Sequence, residues 1–298
     1  MKLNILLTFN DKYVNNVFSL INSIAKNITS DCDIYLLHSD ISQQNINKLK
    51  KHTTNCFSLV SYSGRIIDYI FPLELVYELP TKVGKNTWSE EMYFRLFAPF
   101  LLPNIDRCLY LDSDTIVCGD INEFYNKKFE GNYLLAVAND TQEKHKNRLN
   151  LTKEKVYINS GVLLFNCEKI RNSYSINEIK DMLYKLRSLY AYPDQDFINL
   201  FYDKKIGLVE KKYNYMINVA EISNSYSSEK DIRICHYVME KPWTIRFPYK
   251  TDKIYLKYSN NIFKNLKLLI LHRCYRFYQL LFKTASQRKI KWFFEKNS

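Results

Sequence analysis

Short apolar runs of strand length alternate with segments of helical period along most of this chain, and that alternation limits its possible folds more than any other feature. KLNILLTF (2–9) reads as a buried strand. After the polar turn NDKY, Val14, Val17, Phe18, Ile21 and Ile24 recur at steps of three and four, the helical period. Strands are expected again at 33–39, 56–62, 107–114, 133–140, 156–166 and 231–238. Helices are expected at 41–52, with Ser42 as N-cap, at 89–102, ending at the Pro99 and Pro103 breakers, at 175–190 and from 193 onward. Strands that alternate with helices predict an α/β fold: a Rossmann-like, mostly parallel sheet flanked by helices. In such sheets ligands gather at the carboxyl ends of strands. Asn10-Asp11, Asp112-Ser113-Asp114, Asn139-Asp140 and His236 all fall at such ends.

Charge divides the chain. Residues 251–298 hold eight Lys and three Arg against Asp252 and Glu295, so the tail carries +9 of the net +12. A nearly neutral body argues against a nucleic-acid partner. The expected domains are therefore 1–250, carrying the chemistry, and 251–298, a basic, aromatic-rich helical tail. The seven cysteines form no CxxC pair and read as reduced core residues. The N-terminal apolar run is too short for a secretory signal, and no run approaches the ~20 residues of a membrane span. The expected location is cytoplasmic.

The sharpest polar anomaly is CLYLDSDTIVCG (108–119), where a core-like run meets two carboxylates. If the strand continues through them, Asp112 and Asp114 point to one face and Ser113 to the other. Two close carboxylates repel, and each costs several kcal/mol to bury unpaired. A divalent cation between them removes both problems. Oxygen ligands suit magnesium, calcium or manganese, and one imidazole moves the choice toward manganese. An acidic turn that caps the next helix is the competing reading. His236, ending the apolar strand IRIC, supplies the imidazole. Lys241, in the turn with Pro242 and Trp243, supplies positive charge for a diphosphate.

With these residues in view, the chain resembles retaining glycosyltransferase family 8, of the bacterial lipopolysaccharide galactosyl- and glucosyltransferase type. The resemblance covers roughly residues 1–245. YLDSDTIV resembles the family's DxD strand, YFRLFAP its arginine-bearing helix, YINSGVLLFN its N-(A/S)-G-V strand, PDQDFIN its DQD segment and HYVMEKPW its closing H…KPW. It implies the GT-A fold, a UDP-hexose donor (UDP-galactose or UDP-glucose) and manganese, with magnesium as the alternative. By motif position, Asp112, Asp114 and His236 would hold the metal. Thr8, Asn10 and Tyr13 would hold the uridine, Asp112 the ribose, and Lys241 the diphosphate. Arg95, Asn159, Asp194 and Gln195 would line the donor-sugar pocket. Gln195 would flank the reacting face and Asp194 orient the sugar, with anomeric configuration retained. Two positions depart from the pattern: Asn10 stands where many relatives carry an acid, and HYVMEK lacks the glycine common in that loop.

Each residue also has a structural reading. Arg95 could pair with Glu91 one helical turn away, Asn159 and Gly161 could form a strand bulge, and Asp194 could be a helix N-terminal acid. Three rival functions compete. A haloacid dehalogenase-type phosphatase would use Asp112 as nucleophile. A glycoside hydrolase would need its carboxylates farther apart. A non-catalytic sugar-nucleotide-binding protein needs no chemistry at all. In the tail, Ile262, Phe263, Leu266, Leu269, Ile270, Phe277, Leu280 and Leu281 cluster on one helical side, with Arg273 and Arg276 intruding. Arg288, Lys289, Lys291, Trp292, Phe293, Phe294 and Lys296 follow. Basic plus aromatic suits an anionic membrane surface; a helix packed on the body is the alternative. Lipopolysaccharide-decorating relatives often carry such tails. The implied acceptor is thus lipid-linked or an oligosaccharide, met at the inner face of the cytoplasmic membrane.

Overall fold

The computed structural model describes residues 2–152, 154–217, 230–238, 241–244, 252–259 and, in the tail, 265–267, 269–271, 273, 274 and 277. Trp292, Phe293, Phe294 and the basic residues around them lie outside the described residues.

The expected alternation is present. Strand β1 (Leu3–Leu7) leads to helix α1 (Val14–Asn27), β2 (Cys32–His38) to α2 (Gln43–Phe57), and β3 (Gly64–Ile70) follows. A small hairpin, β4 (Lys82–Val83) with β5 (Asn86–Thr87), precedes α3 (Glu91–Leu101) and β6 (Arg107–Leu111). Then come β7 (Thr115–Val117), α4 (Asn122–Tyr125), β8 (Leu134–Ala138), α5 (Gln142–Arg148) and β9 (Ile158–Asn166). Helices α6 (Cys167–Ser173), α7 (Ile176–Leu186) and α8 (Pro193–Phe201) precede the short strands β10 (Ile206–Leu208), β11 (Tyr215–Met216) and β12 (Ile234–His236). Ser42 caps α2 as expected, its side chain accepting from the Asn45 N–H.

The main sheet has the order β10-β8-β9-β6-β1-β2-β3. The pairs β1–β2, β1–β6, β2–β3 and β8–β10 are parallel, and β9 runs antiparallel to both its neighbours. Side chains of β1 alternate between faces with the period of two. Leu3, Ile5 and Leu7 pack with α1 and α2, while Leu6 packs with α3, α6, α7 and α8. A second sheet, β11-β12-β7, is covered by the Asp252–Tyr258 helix, whose Ile254, Tyr255 and Tyr258 pack with Ile116, Tyr215 and Tyr237. That helix is also held to α1, where Asn22 Nδ2 donates to the Tyr258 carbonyl at 2.7 Å.

Three expectations need correction. The apolar run 56–62 is not a strand. Ile46, Leu49, Thr53 and Phe57 form one buried helical stripe that carries α2 to Phe57, and Leu59 beyond it is 85% exposed. The strand is the more polar 64–70 at the sheet edge, where Arg65 pairs with Asp33 of β2. Pro99 does not end α3, which runs through it to Leu101. Finally, Asp112 and Asp114 are not on a strand: β6 ends at Leu111 and β7 starts at Thr115, and a turn closed by Thr115 N–H to Asp112 O joins them.

Candidate active site

The turn brings the two carboxylates together more tightly than a strand would. It lies between β6 of the large sheet and β7 of the small one, so a residue of either sheet can reach it. β12 pairs antiparallel with β7, His236 opposite Thr115, which delivers the imidazole. Asp112 Oδ2 lies 3.5 Å from His236 Nε2, and Asp114 Oδ1 lies 3.3 Å from the same nitrogen. Ligand atoms of all three residues fall within 4.8 Å of one another.

Each carboxylate has one oxygen tethered and one presented. Asp112 Oδ1 accepts from Tyr110 Oη at 2.5 Å and from Arg95 at 2.9 Å. Asp114 Oδ2 is paired with the Lys241 ammonium. The remaining oxygens face His236, and Asp114 Oδ1 is buried without a hydrogen-bond donor. Two carboxylate oxygens and an imidazole nitrogen, one oxygen orphaned, are a donor set that fits a divalent cation. Burial alone would push the Asp114 carboxyl up. The Lys241 ammonium outweighs it and holds that carboxyl well below its usual range.

Gly161 of β9 makes the corner possible. β9 runs antiparallel beside β6, with Val162 opposite Leu111, and the Gly161 carbonyl accepts from the Asp112 N–H. A Cβ at Gly161 would lie 2.1 Å from His236 Cε1 and 2.7 Å from Asp112 Oδ2. Between Ile158 and Leu163 the pairing of β9 with β8 shifts register, so Asn159 and Gly161 do lie in an irregular, bulge-like stretch of the strand, and glycine is required there for close approach.

The corner is part of a cavity of about 730 Å³. All the residues proposed from the sequence line it: Thr8, Asn10, Tyr13, Arg95, Asp112, Asp114, Asn159, Asp194, Gln195, His236 and Lys241. Arg95 does not pair with Glu91. It stacks over the Tyr110 ring at 4.0 Å, donates to Ser160 O and lies 3.5 Å from Asp194 Oδ2. Burial raises the Asp194 carboxyl above its usual range, Arg95 opposing and Asp112 reinforcing the shift. Thr8 Oγ1 meets Tyr110 Oη at 3.3 Å, while Asn10 accepts from the Lys12 N–H as the cap of a short turn. Sequence reasoning missed Asn214, Tyr110 and Tyr157. Nothing in their local pattern marks them, because telling partners are distant: His236 lies 22 residues from Asn214, Asp196 lies 39 from Tyr157 and Thr8 lies 102 from Tyr110.

The sequence model of glycosyl transferase family 8 matches residues 4–245. The chain belongs to glycosyl transferase family 8. Lipopolysaccharide 1,2-glucosyltransferase of Escherichia coli K12 is 31% identical over 185 residues, 57% of this chain and 54% of that protein. Lipopolysaccharide 1,3-galactosyltransferase of Salmonella typhimurium is 28% identical over 215 residues, 67% of this chain and 62% of that protein. The chain thus spans between about half and two thirds of the curated relatives it matches. Among solved structures, the galactosyltransferase LgtC, in complex with donor and acceptor sugar analogs, superposes with a TM-score of 0.74 at 18% identity, covering 89% of this chain and 99% of that one. The fold is therefore the family 8 GT-A fold, and the phosphatase alternative is left without support.

Proposed function

We propose that this family 8 chain is a metal-dependent retaining glycosyltransferase that moves galactose or glucose from a UDP-sugar to a saccharide acceptor of lipopolysaccharide or lipooligosaccharide type. The observation that carries the reading is the convergence of Asp112 Oδ2, Asp114 Oδ1 and His236 Nε2 on one point in the cavity. A bound manganese ion, or magnesium, would act there as a Lewis acid toward diphosphate oxygens.

The protein's own groups do the rest. Thr8, Asn10 and Tyr13, after β1, hold the uridine side. Lys241 lies at the rim of the ion corner, where its positive charge meets a departing diphosphate. Arg95, Asp194 and Gln195 line the donor-sugar side, with Arg95 reaching across to Asp112. Asp194 Oδ2 is buried with no donor of its own and is suited to accept a sugar hydroxyl. Gln195 is fixed by hydrogen bonds on both ends of its amide, so it presents a rigid surface to the reacting face. Trp88, Lys144 and Tyr192, which also line the cavity and are half-buried to exposed, are assigned to the acceptor side.

No described helix is long and apolar enough to cross a membrane. Leu266, Leu269, Ile270 and Phe277, among the described residues of the tail, are exposed. Together with the +9 charge of 251–298, they support peripheral attachment to the anionic inner face of the cytoplasmic membrane. Incubation with UDP-galactose or UDP-glucose, manganese and a lipooligosaccharide core tests the enzyme reading. UDP release that a chelator abolishes is expected. Binding of UDP-sugar with neither hydrolysis nor transfer would leave a non-catalytic protein.

A further inference from the structure

Side-chain amides can be turned end for end, so their direction in a hydrogen-bond network is ordinarily an assignment. In this cavity two backbone donors remove the choice. The Ser160 N–H points at Gln195 Oε1 at 3.2 Å, and the Gly161 N–H points at Asn159 Oδ1 at 3.0 Å. Both amide oxygens are therefore fixed by β9 itself.

The remaining directions follow in sequence. Asn159 Nδ2 donates to Gln195 Oε1 at 3.1 Å. Gln195 Nε2 donates to Tyr157 Oη at 3.0 Å, and that hydroxyl donates to the fully buried Asp196, an acceptor only. On the other side, Asn159 Oδ1 also receives Asn214 Nδ2 at 2.8 Å. Asn214 must then turn its oxygen to His236 Nδ1, 2.9 Å away. A carbonyl oxygen only accepts, so Nδ1 carries the proton. A neutral imidazole has one such proton, which leaves the lone pair on Nε2, the atom aimed at Asp112 Oδ2 and Asp114 Oδ1.

We infer that Asn159 and Asn214 are positioning residues that select the metal-ligating tautomer of His236, with the β9 backbone as the fixed reference. The inference rests on the ion site proposed above. It gives Asn159 a task beyond lining the sugar pocket, and gives Asn214, fully buried and with no place in the family motifs, a reason to be polar. It also joins the two ends of the site: Gln195 on the sugar side and His236 on the ion side belong to one directed chain of amides. Partners of this kind typically contribute 10–100-fold in metal affinity.

The test uses the full chain, labelled with nitrogen-15 histidine and freed of metal, in long-range proton–nitrogen spectra at pH 8, with His236 assigned by His236→Gln. The wild type is expected to show the proton on Nδ1 and a bare Nε2. Asn214→Leu should move the proton to Nε2 or mix the two forms, and weaken manganese binding by roughly 10–100-fold in calorimetry. Asn159→Leu breaks the chain one link earlier and serves if Asn214→Leu does not fold. Asn159→Asp keeps an oxygen for Gly161 and Asn214, so it should keep the wild-type tautomer. A wild-type ring with its proton on Nε2, or on both nitrogens, would overturn the inference. So would unchanged tautomer and unchanged manganese affinity in both leucine variants. A wild type with the expected tautomer that binds no manganese would overturn the ion-site reading itself, and this role with it.

Discussion

The two ends of the cavity bury an acid to the same depth and treat it differently. Asp114 and Asp194 are each 8% exposed, and each faces a cation. Asp114 has Lys241 against one oxygen, and its carboxyl is held low. Asp194 has Arg95 at 3.5 Å, without a hydrogen bond to Oδ2, and its carboxyl is pushed up by burial. The difference lies in how Arg95 is shared. One of its nitrogens reaches Asp112 Oδ1 at 2.9 Å and Ser160 O at 3.0 Å, and its plane lies on Tyr110. Arg95 still opposes the shift at Asp194, but burial prevails and the nearby Asp112 charge adds to it. The ion corner is thus electrostatically settled, whereas the sugar corner holds an acid whose best partner is a ligand hydroxyl.

The largest effect should come from removing a presented oxygen. Asp114→Asn and Asp112→Asn are each expected to lower sugar transfer by about a thousandfold or more at saturating manganese, while leaving the fold intact by circular dichroism. Turnover near wild type in either would remove the ion corner from the reaction and erase the contrast between the two ends. Next is Gly161→Ala. Its methyl group meets His236 and Asp112 atoms that have little room to retreat. A stability loss of about 1–3 kcal/mol in urea titration is expected, together with loss of manganese binding. A smaller change follows Lys241→Met. If Lys241 holds Asp114 down, the variant should need a higher pH for half-maximal manganese binding than the wild type. An unchanged pH profile would mean that Lys241 does not set the Asp114 carboxyl.

The sequence showed the site more completely than it showed the sheet. Asp112, Asp114 and His236 were legible because carboxylates and an imidazole at the ends of apolar runs are out of place unless something binds them. Arg95, Asn159, Asp194, Gln195 and Lys241 were legible only as motif positions, and all line the cavity. The strand at 64–70 was hidden because an edge strand need not be apolar. Arg65 and Asp68 interrupt its apolar pattern, while Phe57, the last residue of a buried helical stripe, lies in the apolar run 56–62 expected as a strand. Local pattern also placed the aspartates on a strand, where the structure has a turn between two sheets. Asn214 was out of reach for a deeper reason. A buried amide is recognisable only by what it bonds to, and its partners Asn159 and His236 lie 55 and 22 residues away.

The smallest effect expected is at Asp194, and it opposes the usual direction for a site residue. Its folded carboxyl is raised above the ordinary value of 3.8. Such a group's contribution to stability is fully present below 3.8 and is lost as pH rises through the folded value. Once the pH exceeds that folded value the protein carries an ionised, under-compensated acid, which asparagine would replace with a neutral group of the same shape. Asp194→Asn should be more stable than the wild type by about 1 kcal/mol at pH 7, a few degrees in Tm. That advantage should shrink as the pH is lowered toward 4, where both proteins present a neutral group. Transfer should fall at the same time, since the amide cannot accept a hydroxyl as a carboxylate does. Paired thermal melts at the two pH values decide the matter. A variant that is less stable at pH 7 would show that Arg95 compensates Asp194 fully, and the two ends of the cavity would then be alike.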